Sequence, residues 1–216
     1  MRLQTPARLV AGAALLLSLG GARGQGTFVN LAFESARIIL DQSSPFYPNA
    51  VNATNALPGW TLLGGDAYPD VLYNDVSLGA PAVSIHDPND KEGFTPVQGR
   101  YSVFLQGSNT AIGIAQTGQI PADAQSLTFW SYVTQLQVRV NDQVIPYASI
   151  GSGPNYTIYG GDISAFASQT GTLRFLGNGW IDNIQFSNLP IPEPGVFGLS
   201  ALGALLLGWR VVGRRR

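Results

Sequence analysis

Cysteine is absent from the 216 residues, which excludes disulfides, thiolate metal sites and a cysteine nucleophile. Histidine occurs once, at His86, and lysine once, at Lys91. No Gly-x-Ser-x-Gly elbow is present. Ser84 or Ser102 with Asp87 would complete a Ser-His-Asp set around His86, but residues adjacent on a strand need not face one way, and a polar residue at a loop edge is the plainer reading. Asp87 and Asp90 beside His86 lack the twelve-residue loop and closing Glu of an EF-hand, and Asp-Pro-Asn-Asp reads as a turn. Positive charge is scarce where it would matter for nucleic acid. Of twelve Lys and Arg, seven (Arg2, Arg8, Arg23, Arg210, Arg214, Arg215 and Arg216) stand near the two termini. The middle keeps five against a dozen Asp and Glu, and a basic footprint is missing.

What the ends do contain is ordered. Arg2 and Arg8 precede an apolar run from Leu9 to Leu19, followed by Ala22-Arg23-Gly24. This is the layout of a signal peptide over residues 1–24, cut by signal peptidase before Gln25. At the other end stand Pro192-Glu193-Pro194, an apolar run with its helix at about 196–212, and a positive cluster of Arg210, Arg214, Arg215 and Arg216. A run of about 17 residues is at the short end of what spans a bilayer, and the arginines place the terminus in the cytoplasm. The order and spacing of residues 190–216 resemble the PEP-CTERM sorting signal of Gram-negative bacteria, with Ile191 and Gly195 as minor departures. The resemblance implies recognition and removal of the tail by an exosortase. It also implies a protein exported across the inner membrane, held at first by the C-terminal helix, and delivered to the cell surface or secreted.

Between the ends, residues 25–189 show no sustained 3.6-residue apolar period. Short alternating runs dominate: 27–33, 37–40, 60–63, 71–74, 82–86, 101–106, 112–119, 126–133, 136–140, 144–150, 157–159, 173–176 and 180–186. Gly, Pro, Asn and Asp punctuate them. The spacing predicts an all-β ectodomain, a sandwich or jelly roll, with one helical turn at 162–167. Gly177-Asn178-Gly179 reads as the turn between the last two strands.

Asn30-Leu31-Ala32-Phe33-Glu34, Leu57-Pro58-Gly59-Trp60, Gly99–Leu105 and Trp180-Ile181-Asp182-Asn183-Ile184 together resemble galactose-binding-like carbohydrate-binding jelly rolls. The resemblance implies a structural calcium held by Glu34 and Asp182 between the first and last strands, with Asn183 where a second Asp is usual. Oxygen ligands of this kind suit a hard cation.

Asp66, Asp70 and Asp75 share a loop-rich stretch with Tyr68 and Tyr73. Rings that cover a pyranose face, with polar groups for its hydroxyls, make Trp60, Tyr68 and Tyr73 the candidate ligand-binding residues. Trp130 and Trp180 lie inside strand patterns and read as core. The expected role is a non-catalytic structural or adhesive component of an extracellular polysaccharide matrix. The alternative is a carbohydrate-binding module for a specific glycan, and a hydrolase comes third.

Overall fold

The computed structural model describes residues 25–41, 48–64, 70–77, 79–91, 93–107, 112–132 and 134–191. The signal peptide, Tyr68, Asp66, Pro192-Glu193-Pro194, the apolar helix and the terminal arginines lie outside the described residues. Among the described residues no helix is long and apolar enough to cross a membrane.

The fold is almost entirely β. In chain order it has β1 (Ala50–Asn52), α1 (Ala53–Ala56), β2 (Thr61–Leu63), β3 (Asp70–Tyr73), β4 (Ala82–His86), β5 (Ser102–Gln106) and β6 (Gly113–Gln119). These are followed by β7 (Ser126–Ser131), β8 (Thr134–Val140), β9 (Gln143–Val144), β10 (Ala148–Ser152) and β11 (Thr157–Asp162). A 3-10 turn (Ser164–Phe166) leads into β12 (Thr170–Ser187).

β12 absorbs Gly177-Asn178-Gly179, which is therefore not a turn but the middle of one long strand. β6 and then β5 pair along one side of it, at Thr170–Leu176 and Asn178–Ile181. β8 and then β7 pair along the other, at Leu173–Gly179 and Asp182–Ser187. The outer strands add to this spine as β1-β3-β4 on β5, β2 on β6, β11-β10 on β7 and β9 on β8.

The sheet does not lie flat. Phe129 sits opposite the irregular stretch of β12 near Asn183, so along a straight strand it would be roughly 25 Å from Phe175. The two ring centroids are 5.3 Å apart. β12 bends at Gly177 (φ 115°) and Gly179 (φ 158°), and again at Asn183 (φ 46°), where the register with β7 shifts. The sheet thus folds over one core that takes Val103 and Leu105 from β5, Ile114 from β6, Phe129 from β7, Val138 from β8 and Phe175 from β12.

Several expectations fail for identifiable reasons. Residues 27–33 form turns rather than a strand, because Asn30 (φ 52°) and Phe33 (φ 59°) are left-handed. Phe28, Leu31 and Phe33 plug the core instead, and Leu31 O accepts a bond from Ile184 N (2.9 Å). Residues 37–40 contribute one bridge, Leu40 to Val51. The run 144–150 is split around Pro146, whose missing N–H cannot join a ladder. β1 and α1 lie in what reads as loop, with Asn52 Oδ1 accepting from Thr54 N (3.0 Å) to cap the helix.

A Cβ at Gly177 would stand 2.5 Å from Gln135 O. Gly177→Ala should therefore destabilise the protein by about 1–3 kcal/mol in urea unfolding. Asn178→Ala, at an exposed neighbour, should stay within about 0.5 kcal/mol.

Candidate functional site

One face of the sheet carries a continuous row of partners: His86 on β4 opposite Ser102 on β5, Asp182 on β12 opposite Trp130 on β7, then Ile158 on β11 and Gly151 on β10. Ser102 and Asp182 are joined by a 2.7 Å bond from Ser102 Oγ to Asp182 Oδ2. Phe94 and Gln98 pack over the β4-β5-β12 half of this row, whereas Trp130, Ile158 and Gly151 in the β7-β11-β10 half are half-buried or exposed. The two halves have different chemistry.

The covered half is an aromatic and polar layer. Trp180 stacks on Phe104 (4.8 Å, 11°) and packs against His86, Phe94 and the edge of Tyr132. Tyr132 donates its hydroxyl toward Thr95 O (2.7 Å) and Pro96 O (2.8 Å), pinning the covering segment. Ser84 and His86, two apart on β4, point the same way, and Ser84 Oγ lies 2.8 Å from His86 Nε2. His86 Nδ1 bonds Asp90 rather than Asp87, and Ser102 belongs to Asp182. The Ser84–His86–Asp90 chain has the connectivity of a nucleophilic triad, but Ser84 is fully buried and the side chains of His86 and Asp90 are fully covered. His86 is therefore an interior residue, not one at a loop edge.

Asp87 faces away from His86. Its carboxylate accepts from Tyr73 Oη (2.8 Å), Asn74 Nδ2 (2.7 Å) and Asn89 N (2.8 Å). Burial pushes the carboxyl up, and these bonds more than offset it, leaving it below the ordinary range. Burial and the bond to Asp87 push Tyr73 up to about 12. Tyr73 is half-buried against the core with its hydroxyl committed, so it offers no free ring face with a free polar end. Trp60 is 5% exposed, packs on Phe33 and donates Nε1–H to Asn30 O (3.1 Å). It holds the 30–33 turn in place and is not an open platform. Asp70 is raised by burial and by nearby Asp41, and Asp75 accepts from Asn49 Nδ2 (3.3 Å).

Glu34 and Asp182 do converge, on the same loop. Glu34 Oε1 accepts from Arg100 N (2.8 Å) and Tyr101 N (3.3 Å). Asp182 accepts from Gln98 N (2.9 Å) and Ser102 Oγ at Oδ2, and from Asn183 N (2.6 Å) at Oδ1. A Cβ at Gly99 (φ 64°) would fall 2.1 Å from Glu34 Oε1, so the loop's approach depends on that glycine. Asp182 is fully buried. Burial raises its carboxyl to about 7, opposed by its three hydrogen bonds and helped by repulsion from Glu34. The donor set is oxygen only, as a hard cation requires, and at about two lone pairs per oxygen the described bonds leave capacity on each carboxylate. The Asn183 side-chain oxygen is taken by Gln185 Nε2 (2.6 Å) and turns from the pair.

The other half of the row carries an aromatic pair where the sequence reads Trp130 as core. Trp130 alternates outward on β7, between the buried Phe129 and Ser131. It stacks face to face on Tyr156 (4.3 Å, 10°), and both rings are half-buried. Thr128 and Gln185 are cross-strand partners on the same face, and Asn183 bonds Gln185. The signal was available: Leu127 and Phe129 facing inward require Trp130 to face out.

Asp182 sets a test for the covered half. Folded, its carboxyl keeps a proton to about pH 7; unfolded, to the ordinary 3.8. Between those values the folded state binds more protons, so in chelator the melting temperature should fall as pH rises from 4 to 7. Asp182→Asn should flatten that slope.

No protein-family model matches the chain, and no curated protein matches it. Among solved structures it is similar to a carbohydrate-binding module, CBM61, determined in complex with β-1,4-galactotriose. Identity is 14%, over 75% of this chain and 97% of the module, with a TM-score of 0.35. At that TM-score the likeness carries no inference about ligand or site.

Proposed function

We propose that this chain is an exported, non-catalytic carbohydrate-binding protein of the cell envelope, and that its folded sheet is a jelly-roll sandwich of the galactose-binding-like kind. The observation that carries the reading is the outward Trp130–Tyr156 stack beside Gln185 and Asn183. A rigid aromatic face covers the apolar side of a sugar ring, while neighbouring amides take its hydroxyls. Tyr132, two residues beyond Trp130, bonds Thr95 O and Pro96 O. The buried Ser84–His86–Asp90 chain has no substrate access and serves packing. Export and envelope sorting follow from the two terminal segments, with signal peptidase and an exosortase as processing partners and the membrane as an early anchor. A purely structural or adhesive role in the polysaccharide matrix is the second reading; it requires no selective glycan contact at Trp130.

Retention on a panel of neutral polysaccharides that includes β-1,4-galactan separates the two. Trp130→Ala should weaken binding at least about tenfold, about 1.4 kcal/mol, without lowering the melting temperature by more than a few degrees. Tyr73→Ala should instead lower stability and leave retention unchanged in the folded fraction. Binding unaffected by Trp130→Ala contradicts the glycan reading of this face.

A structural calcium held by Glu34 and Asp182 belongs to the same proposal. When bound, it supplies positive charge between two mutually repelling acids that anchor the 98–102 loop. Calcium should raise the melting temperature by several degrees over chelator at pH 8 and by less at pH 5, where Asp182 is protonated. Equal melting with calcium and chelator at pH 8 removes the ion from the account.

A further inference from the structure

The opposite outer face of the sheet, away from Trp130, has its own pattern. Register carries Thr61 on β2, Ala115 on β6, Arg174 on β12, Arg139 on β8 and Val144 on β9 in one row across five strands. Arg174 and Arg139 are direct cross-strand partners. Like charges in that position normally cost stability, and they stem from sites about 5 Å apart. They are two of the five basic residues between the terminal segments, in a domain with a dozen acids.

A carboxylate already occupies part of this fork. Asp142, at the tip of the β8–β9 hairpin with φ 66°, ion-pairs with Arg174, and its side chain is 72% exposed. Arg139 Nε bonds Gln137 Oε1 (2.7 Å). Two guanidinium groups and one carboxylate leave the cluster with net positive charge, on a sheet face that also carries Thr117, Thr172 and the exposed Val144. Thr117 and Thr172 bond each other on the same face (2.8 Å).

We propose that this face binds a carboxylate-bearing polysaccharide, with Arg139 and Arg174 as the acid-recognising residues and Asp142 as an internal competitor for the same fork. Guanidinium groups match carboxylates with paired N–H donors and keep their charge at all relevant pH. The acidic remainder of the domain repels such a polymer, which confines it to this face. That the carboxylate belongs to a polysaccharide rests on the carbohydrate role proposed above, whereas the arginine pair lies on the opposite face from Trp130.

The test uses the full chain in mild detergent and immobilised polygalacturonate. The parent should be retained at low salt and released at high salt, since screening weakens exposed charge pairs. Arg139→Gln with Arg174→Gln should lose retention at least about tenfold. Asp142→Asn, which keeps both arginines, should bind two- to fivefold more tightly on the order set by removing one competing charge. Trp130→Ala should leave retention on polygalacturonate unchanged.

Absence of retention by the parent overturns the proposal, as does retention indifferent to the double substitution. Weaker binding by Asp142→Asn also overturns it, and that arm stays decisive should the double variant fold poorly. Self-association lost in the double variant, with no polyuronate binding by the parent, would assign the face to a second copy of the chain and overturn the proposal as well.

Discussion

β12 is the constraint on which the rest of the structure depends. An eighteen-residue strand that pairs along both sides lets four other strands find their places without pairing directly in sequence order. It can do so around one core only because it bends, and the bend is built from Gly177, Gly179 and the left-handed Asn183. Each bend exchanges a flat ladder for curvature, so Phe129 and Phe175 meet across the interior rather than lying far apart on one surface. In a chain without disulfides this buried contact, together with Val103, Leu105, Ile114 and Val138, supplies what cross-links would otherwise supply.

The same strand divides the outer surface. At Gly179–Asp182 every residue is buried, because the core lies on one side and the segment 87–101 on the other. Trp180 fills the second layer with Phe94 and Phe104, and Asp182 turns its carboxylate to the loop amides. Glu34 grips the loop from the far side at Arg100 and Tyr101. Two acids, far apart in sequence, thus order a loop rich in polar backbone groups, and burial and mutual repulsion raise Asp182. Past the edge of that loop the sheet is uncovered, and there the aromatic stack stands.

Much of the fold was legible because period-two patterns survive in short strands: β4 coincides with the run 82–86, and β5, β6 and β8 differ from their predicted runs by a residue or two. The N-terminal segment was not, because apolar residues at 28, 31 and 33 suggest a strand while the backbone turns at Asn30 and Phe33. The double-glycine stretch misled for a related reason: glycine marks a bend as readily as a turn. Of the candidate residues, Glu34 and Asp182 stand out by their place in a familiar pattern, and the structure brings them to one loop. Trp60 and Tyr73 stand out by side-chain chemistry alone, and the fold commits the first to packing and the hydroxyl of the second to Asp87. Trp130 reads as core from its place in an apolar strand, although the inward Leu127 and Phe129 on the same strand imply the opposite.

The central claim is that carbohydrate meets this domain at the one described tryptophan that faces outward. An isotope-labelled sample titrated with a neutral polysaccharide that retains the protein would report on the indole N–H signals directly. The account predicts that the Trp130 indole signal moves in a saturable way, while those of Trp60, bonded to Asn30, and Trp180, buried under Phe94, stay in place. Movement at Trp60 or Trp180 with Trp130 unchanged would contradict it.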